Sequence, residues 1–342
     1  MNNFLIIRLS SLGDIIHALP AFSALRNHFP EANITWLVEE KGEEVLKLIP
    51  GINKVVVTRA KRLKLYSRSF REEISRIKAQ IAAKDLTAVD FQGLIKSGLF
   101  AWFSQAKKRI GFHRKNLREP LASIFYTQRL YKITGDIHVI YKNLKLLELL
   151  GIKDSNVDFP LQLSSDLLNS VRDKIAKTGY SSEKKLVIIN VGAAWESKRW
   201  FPHKWSQVIK KIDSDQIFPL LLWGNEIEKD LALKIAETTG AALSPSLSLT
   251  EVVALVNDAS LVVSGDTFAL QAACALSRPV VGLFGPTTPG RNGPFKDSDK
   301  VVFQEFNCSH CYKRKCSDLK CLKILKPESV AELCIQALEK NG

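Results

Sequence analysis

The chain has 342 residues, 46% of them hydrophobic, and a formal charge of +14 from 49 Lys and Arg against 35 Asp and Glu. That length and apolar content suit two packed domains, and the charge implies an anionic partner: nucleic acid, an acidic membrane surface or a phosphorylated substrate. No apolar run reaches the ~18 residues that span a bilayer. Phe4–Ile7 is too short for a signal peptide and is interrupted by Arg8, so a cytoplasmic location is expected.

In chain order, the first half reads as strand–helix units. Strands are expected at 4–9, 34–38, 54–58, 88–92 and 108–111, and helices at 15–28, 43–48, 69–83, 95–104 and 139–150. The strands are short and nearly all apolar, as for strands covered on both faces of a parallel sheet. Residues 151–165 turn irregular and polar and read as an interdomain connection. A second series follows, with strands at 186–191, 218–223, 242–244, 261–264 and 279–284. Its helices are expected at 203–212, 226–239, 249–256 and 269–276, with a last one at 327–340 started by Pro327. Both halves have the rhythm of a Rossmann-sized α/β unit, in which ligands bind at the carboxyl ends of the strands.

Several strand ends carry candidate chemistry. The first strand runs into Ser10-Ser11-Leu12-Gly13-Asp14, a small-residue turn before a helix, where a general base would sit. The competing role for Asp14 is a helix cap. In the second half, Asn190-Val191-Gly192-Ala193-Ala194-Trp195-Glu196-Ser197-Lys198-Arg199 places two cations in a strand-end loop, where a leaving diphosphate needs its charge neutralised. Ser264-Gly265-Asp266-Thr267-Phe268 opens a helix, and helix N-termini attract anions; Asp266 and Thr267 can equally serve as caps. Trp223-Gly224-Asn225-Glu226-Ile227-Glu228 and Gly285-Pro286-Thr287-Thr288-Pro289 are two further strand-end turns. In the first half, Asp90-Phe91-Gln92-Gly93-Leu94-Ile95-Lys96-Ser97 is another. Two basic runs lie nearby: Arg59, Lys61, Arg62, Lys64, Arg68, Arg71 and Arg76, then Lys107, Lys108, Arg109, Arg114, Lys115 and Arg118.

Four cysteines cluster as Cys308-x2-Cys311-x4-Cys316-x4-Cys321. In a cytosolic chain such a cluster points to metal before disulfide, and structural zinc takes four thiolates. Only the first pair has zinc-ribbon spacing, so free thiols or a disulfide stay open beside structural zinc. Cys274 and Cys334 fall in apolar helices and are expected to be buried.

Residues 10–21, SSLGDIIHALPA, resemble the N-terminal signature of the bacterial lipopolysaccharide heptosyltransferases, the ADP-heptose-using glycosyltransferases of family 9. The elements above follow in family order from Phe4 to about Pro294, and Arg118-Glu119-Pro120-Leu121-Ala122-Ser123 is similar to the type that adds the first heptose. The resemblance implies an α/β fold of GT-B architecture, with two Rossmann-like parallel-sheet domains facing across a cleft. Residues 1–160 would bind acceptor, 161–326 would bind the ADP-sugar, and 327–342 would pack back on the first domain.

The resemblance also implies an inverting transfer of L-glycero-D-manno-heptose from ADP-heptose to the Kdo of Kdo-lipid A, at the cytoplasmic face of the inner membrane and without a catalytic metal. Asp14 would be the base and Lys198, with Arg199, the stabiliser of departing ADP. Glu228 would meet the ribose, Asp266 the sugar or ribose, and Thr267 and Phe268 the donor through their backbones. Lys61, Arg62, Lys64, Arg118 and Gln92 would receive the anionic acceptor. The chain departs from the family where Phe268 replaces a Gly and Gln271 a His. The alternatives are addition of a later heptose or related hexose, a basic nucleic-acid-binding protein, and a non-catalytic nucleotide-binding regulator. The recognisable nucleic-acid modules and stacking aromatics are missing from the sequence, and the pairing of Asp14 with Lys198 argues against the last.

Overall fold

The computed structural model describes residues 2–59, 67–296 and 299–340. The chain forms two units, Met1–Gln162 and Leu163–Gly342. Each contains one six-stranded sheet in which every pairing is parallel.

In the first unit the strands are β1 (Asn3–Ile7), β2 (Asn33–Glu39), β3 (Lys54–Thr58), β4 (Leu86–Asp90), β5 (Lys108–Gly111) and β6 (Gln128–Arg129), in the order β3-β2-β1-β4-β5-β6. Leu5, Ile6 and Ile7 of β1 are all fully buried, so helices cover both faces of the sheet centre. Each such side chain contributes about 1.5–3 kcal/mol of burial.

The second unit has β7 (Lys185–Asn190), β8 (Ile217–Leu222), β9 (Ala242–Leu243), β10 (Leu261–Gly265), β11 (Val280–Leu283) and β12 (Lys300–Val302), in the order β12-β11-β10-β7-β8-β9. Counted from its own first strand, this is the same order as in the first unit. It is the dinucleotide-fold order, in which the strand order reverses between the first and fourth strands. The reversal leaves a crevice between the ends of β1 and β4 in one unit and of β7 and β10 in the other.

The structure departs from the sequence reading in four places. The expected helix 15–28 is two helices, Leu12–Ile16 and Leu19–His28, because Pro20 starts a new helix in its first turn. Helix Ser165–Ala176 occupies sequence that followed the expected connection and was given no element. Its only fully buried residues are Val171 and Ile175, too sparse a stripe to read, although Ser164 caps it by accepting from Leu167 N–H. Strands β6 and β12 were also missed; they are edge strands of two and three residues, too short to display a period. The last helix, Pro327–Glu339, buries Val330, Ala331, Cys334, Ala337 and Leu338 in the core of the second unit, where the sequence reading had it returning to the first. Cys274 and Cys334 are buried as expected.

Candidate active site

The Asp14 turn is built by its neighbours. Ser11 is extended at the N-cap of helix Leu12–Ile16, and its N–H and Oγ both donate to Asp14 Oδ2, at 3.1 and 2.8 Å. The cap role is therefore real. It uses one carboxylate oxygen. The other, Oδ1, is 2.5 Å from Arg8 Nη2. The Arg8 side chain is buried, and its guanidinium also donates to the Phe91 carbonyl. Burial works against ionisation of Asp14, but the Arg8 charge, then His17 and the two Ser11 hydrogen bonds outweigh it and hold the carboxyl down at about 2. With 28% of its side chain exposed, Asp14 is a carboxylate, ionised at neutral pH, that a ligand can reach.

Arg8 is not among the site residues expected from the sequence. The signal was present: an arginine directly after a strand that is buried on both faces needs a carboxylate partner.

Across the crevice, Gln92 Oε1 accepts from Leu9 N–H and Ser10 N–H, at 3.1 and 3.2 Å. It holds the turn that carries Asp14. Asp90, at the end of β4, is completely buried and accepts four hydrogen bonds: Gln92 N–H at 2.8 Å, Gly93 N–H at 3.0 Å, Ser97 Oγ at 2.7 Å and Tyr126 OH at 2.7 Å. Burial pushes its carboxyl up, and the hydrogen bonds oppose that. Gly93 sits at φ +70°, where a Cβ would lie 2.6 Å from Leu117 Cδ2. The Asp-x-Gln-Gly spacing is thus a scaffold that sets the crevice, and Asp90 is its centre.

The basic runs are less free than their sequence suggests. Arg59 pairs with Glu40, Arg68 with Glu72, Arg76 with Glu73 and Lys107 with Asp85, while Arg109 donates to the carbonyls of Phe125 and Ala106. Arg118 is exposed. Lys61, Arg62 and Lys64 lie outside the described residues.

In the second unit, Asn190 at the end of β7 donates to Ser264 Oγ at 3.0 Å and Thr267 Oγ1 at 2.9 Å, which ties the two strand ends together. Lys198 reaches across the same crevice. Its Nζ is 2.6 Å from Asp266 Oδ2, 3.2 Å from the Asp266 carbonyl and 4.5 Å from the centre of the Trp195 ring. The Asp266 carboxylate therefore serves Lys198, and Thr267 makes no side-chain cap bond to its helix, Phe268–Ala275, so neither residue is merely a cap. Gly265 permits this approach: a Cβ there would lie 3.1 Å from the Lys198 carbonyl. Phe268 is half-buried at the first helical position. Gln271 is buried and donates to the Asn292 carbonyl at 2.7 Å and to Asp266 Oδ1 at 3.4 Å, which keeps a polar partner on Asp266 in place of the expected His.

Arg199 folds back onto its own loop, donating to the Ala193 carbonyl at 2.8 Å, with Nη2 3.9 Å from Glu228 Oε1. Glu228 is buried, not solvated. Its Oε2 accepts from Gly224 N–H at 2.9 Å, and it lies so close over Gly192 that a Cβ there would come within 2.3 Å of its carboxyl. The sites after β7 and β8 are thereby one cluster.

The four cysteines of the cluster differ in burial, and burial of Cys321 together with the nearby Cys308, Cys311 and Cys316 pushes its thiol up. Cys308, Cys311 and Cys316 are exposed, whereas Cys321 is buried in the core of the second unit. Among the described residues no three His, Cys, Asp or Glu side chains are grouped to hold a metal. Likewise, no described helix is long and apolar enough to cross a membrane.

Known proteins resemble this chain in sequence and in fold. The sequence profile of glycosyltransferase family 9 (heptosyltransferase) covers residues 74–322. The chain belongs to this family. It is 30% identical over 317 residues to lipopolysaccharide heptosyltransferase 1 of Pseudomonas aeruginosa, covering 92% of this chain and 87% of that one. Among solved structures, a family 9 glycosyltransferase from Veillonella parvula superposes with a TM-score of 0.85 at 20% identity, covering 99% of this chain and 98% of that one. The E. coli heptosyltransferase WaaC, solved with ADP, superposes at 0.77 with 23% identity and 99% and 100% coverage. A second WaaC structure holds ADP-2-deoxy-2-fluoro heptose. The protein is thus a glycosyltransferase of the GT-B fold class, and the two switch-point crevices are where such a fold places its ligands.

Proposed function

We propose that this family 9 enzyme is the heptosyltransferase that moves L-glycero-D-manno-heptose from ADP-heptose to the Kdo sugar of Kdo-lipid A, with inversion, in lipopolysaccharide inner-core synthesis. The observation that carries the reading is the pair of crevices: an ionised, reachable carboxylate in one unit and a lysine between Asp266 and Trp195 in the other. The heptosyltransferase 1 relative supports first-heptose chemistry, and the WaaC complexes support the donor.

In this mechanism the acceptor hydroxyl oxygen bonds to the anomeric carbon as the bond from that carbon to the diphosphate oxygen breaks. The hydroxyl proton passes to Asp14. A carboxylate held near 2 is a weak base towards a free alcohol. It suffices for an oxygen that becomes acidic as its new bond forms, so the proton leaves late along the reaction coordinate. Lys198 offers three N–H donors, of which Asp266 takes two. The third is assigned to the diphosphate, whose growing charge it neutralises. Glu228 and the backbone at Thr267 and Phe268 hold the rest of the donor, and no metal is required. Arg118, with Lys61, Arg62 and Lys64, attracts the carboxylates and phosphates of the acceptor. The chain's excess positive charge favours docking on the anionic cytoplasmic face of the inner membrane without insertion.

The test is ADP release from ADP-heptose with Kdo-lipid A, with the same lipid already carrying one heptose, and with no acceptor. Release that requires Kdo-lipid A is expected. Release only with the heptosylated lipid would move the protein to a later step, and no release with either would sink the reading.

A further inference from the structure

The cysteine-bearing segment is unabsorbed by the mechanism, yet it is sewn to the loop that carries Lys198. Ser197 is 1% exposed and spends both of its donors there: Oγ on the Lys313 carbonyl at 2.6 Å and N–H on the Arg314 carbonyl at 3.2 Å. On either side, Lys315 Nζ is 3.3 Å from Glu196, and the Arg314 guanidinium lies 5.7 Å from the centre of the Trp195 ring, the ring that Lys198 also approaches. The segment is anchored in turn. Tyr312 N–H donates to the Pro286 carbonyl at 3.0 Å, and Cys321 is packed so closely on Gly285 that a Cβ there would lie 3.0 Å from its sulfur. A short 3-10 turn, Glu196–Lys198, has little intrinsic rigidity. These bonds supply it.

We infer that segment 308–321 is a positioning strap for the Lys198 loop, and that Ser197 is the side chain through which it acts. The assignment rests on the role given above to Lys198. Ser197 is a positioning residue, bonded to the strap while its neighbour places the ammonium on Asp266. Misplacement of a catalytic group by 1 Å can cost about 10²-fold in rate, so a buried latch at the adjacent residue bears directly on turnover. Anchoring of the strap explains why one thiol of the cluster is buried while the others face solvent.

The experiment measures ADP affinity by calorimetry, turnover, the acceptor KM and amide hydrogen exchange in the full chain. Ser197→Ala leaves the Lys313 carbonyl without its donor, so ADP affinity and turnover should each fall about fivefold to fiftyfold, with the acceptor KM unchanged. The amides of residues 195–198 and 312–315 should exchange faster together, a readout that needs no ligand. Lys315→Glu, which reverses an exposed pair and leaves the core alone, should give the same pattern at about twofold to fivefold. It is decisive if Ser197→Ala does not fold. A lower melting temperature with wild-type ADP affinity and turnover would overturn the inference, as would faster exchange of one segment without the other. Wild-type protein that does not bind ADP would instead refute the donor reading, whatever the exchange shows.

Discussion

The two units share a strand order and put their candidate chemistry at the same topological place, but the charges there are arranged differently. In the first unit a buried cation, Arg8, serves a part-exposed carboxylate, Asp14. In the second a carboxylate that is 9% exposed, Asp266, serves a cation that is 14% exposed, Lys198. One crevice therefore presents a negative charge and the other a positive one, each held by a partner of opposite sign. Topology selects the location, and the buried partner selects the chemistry. Topology also gives each crevice a supporting bridge from the fourth strand of its sheet: Gln92 to the Leu9–Ser10 backbone, and Ser264 with Thr267 to Asn190.

The largest effects are expected at Asp14 and Lys198. Asp14→Ala should reduce turnover by about 10²–10⁴-fold, the range for a lost general base, and leave ADP affinity near wild type. Steady-state kinetics that retain more than about a tenth of turnover, which is outside that range, would leave Asp14 as a cap only. Lys198→Ala should slow transfer by about 10²–10³-fold and weaken ADP binding as well, since the charge meets the diphosphate before and during bond breaking. Unchanged ADP affinity by calorimetry would remove Lys198 from the donor site.

The supporting cation of the first unit gives a pH test. Because Asp14 is depressed to about 2, the stability it adds is present above the unfolded carboxylate value and is lost as pH falls through about 2. Arg8→Gln removes the chief opposing charge, so the Asp14 carboxyl should rise towards the ordinary range of about 4. An acid limb should then enter the turnover profile near that pH, with turnover at neutral pH reduced about tenfold, a cost near that of one charged hydrogen bond. A profile as flat as wild type down to the lowest pH at which the variant stays folded would show that Arg8 does not govern Asp14. The smallest effect is expected at Arg118. Its exposed charge acts through a screened field, so Arg118→Ala should raise the acceptor KM about twofold to fivefold and weaken its salt dependence. Donor affinity should not move; if it does, the two half-sites are assigned the wrong way round.

Much of the site was legible because strand-end turns are local. Ser10–Asp14, Gly265–Thr267 and Gly192 each announce a turn through residues whose backbone needs are set within a few positions. Other features carry no local signal. Glu228 reads as a solvated residue of a helix first turn until Gly192, 36 positions earlier, is seen to leave room for it. Helix Ser165–Ala176 and the edge strands lacked enough apolar contacts to imprint a period. The Cys spacing left zinc, free thiols and a disulfide open and carried no signal of burial. Packing made Cys321 a core residue and left the others outside.

The two α/β units, their parallel sheets and the turns that carry Asp14, Lys198 and Asp266 are legible in the residues alone. Each of these depends on short-range pattern: apolar runs for buried strands, small residues and Asp at the turns, and helical spacing between them. The ionisation of Asp14 and the aim of Lys198 come from contacts made only in the folded chain. Asp14 is held ionised by Arg8 and His17. Lys198 is oriented by an aspartate 68 positions away, in a loop latched to carbonyls at 313 and 314. Charge, desolvation and hydrogen-bond partners are properties of distance in space, and a parallel sheet brings together strand ends that are remote along the chain.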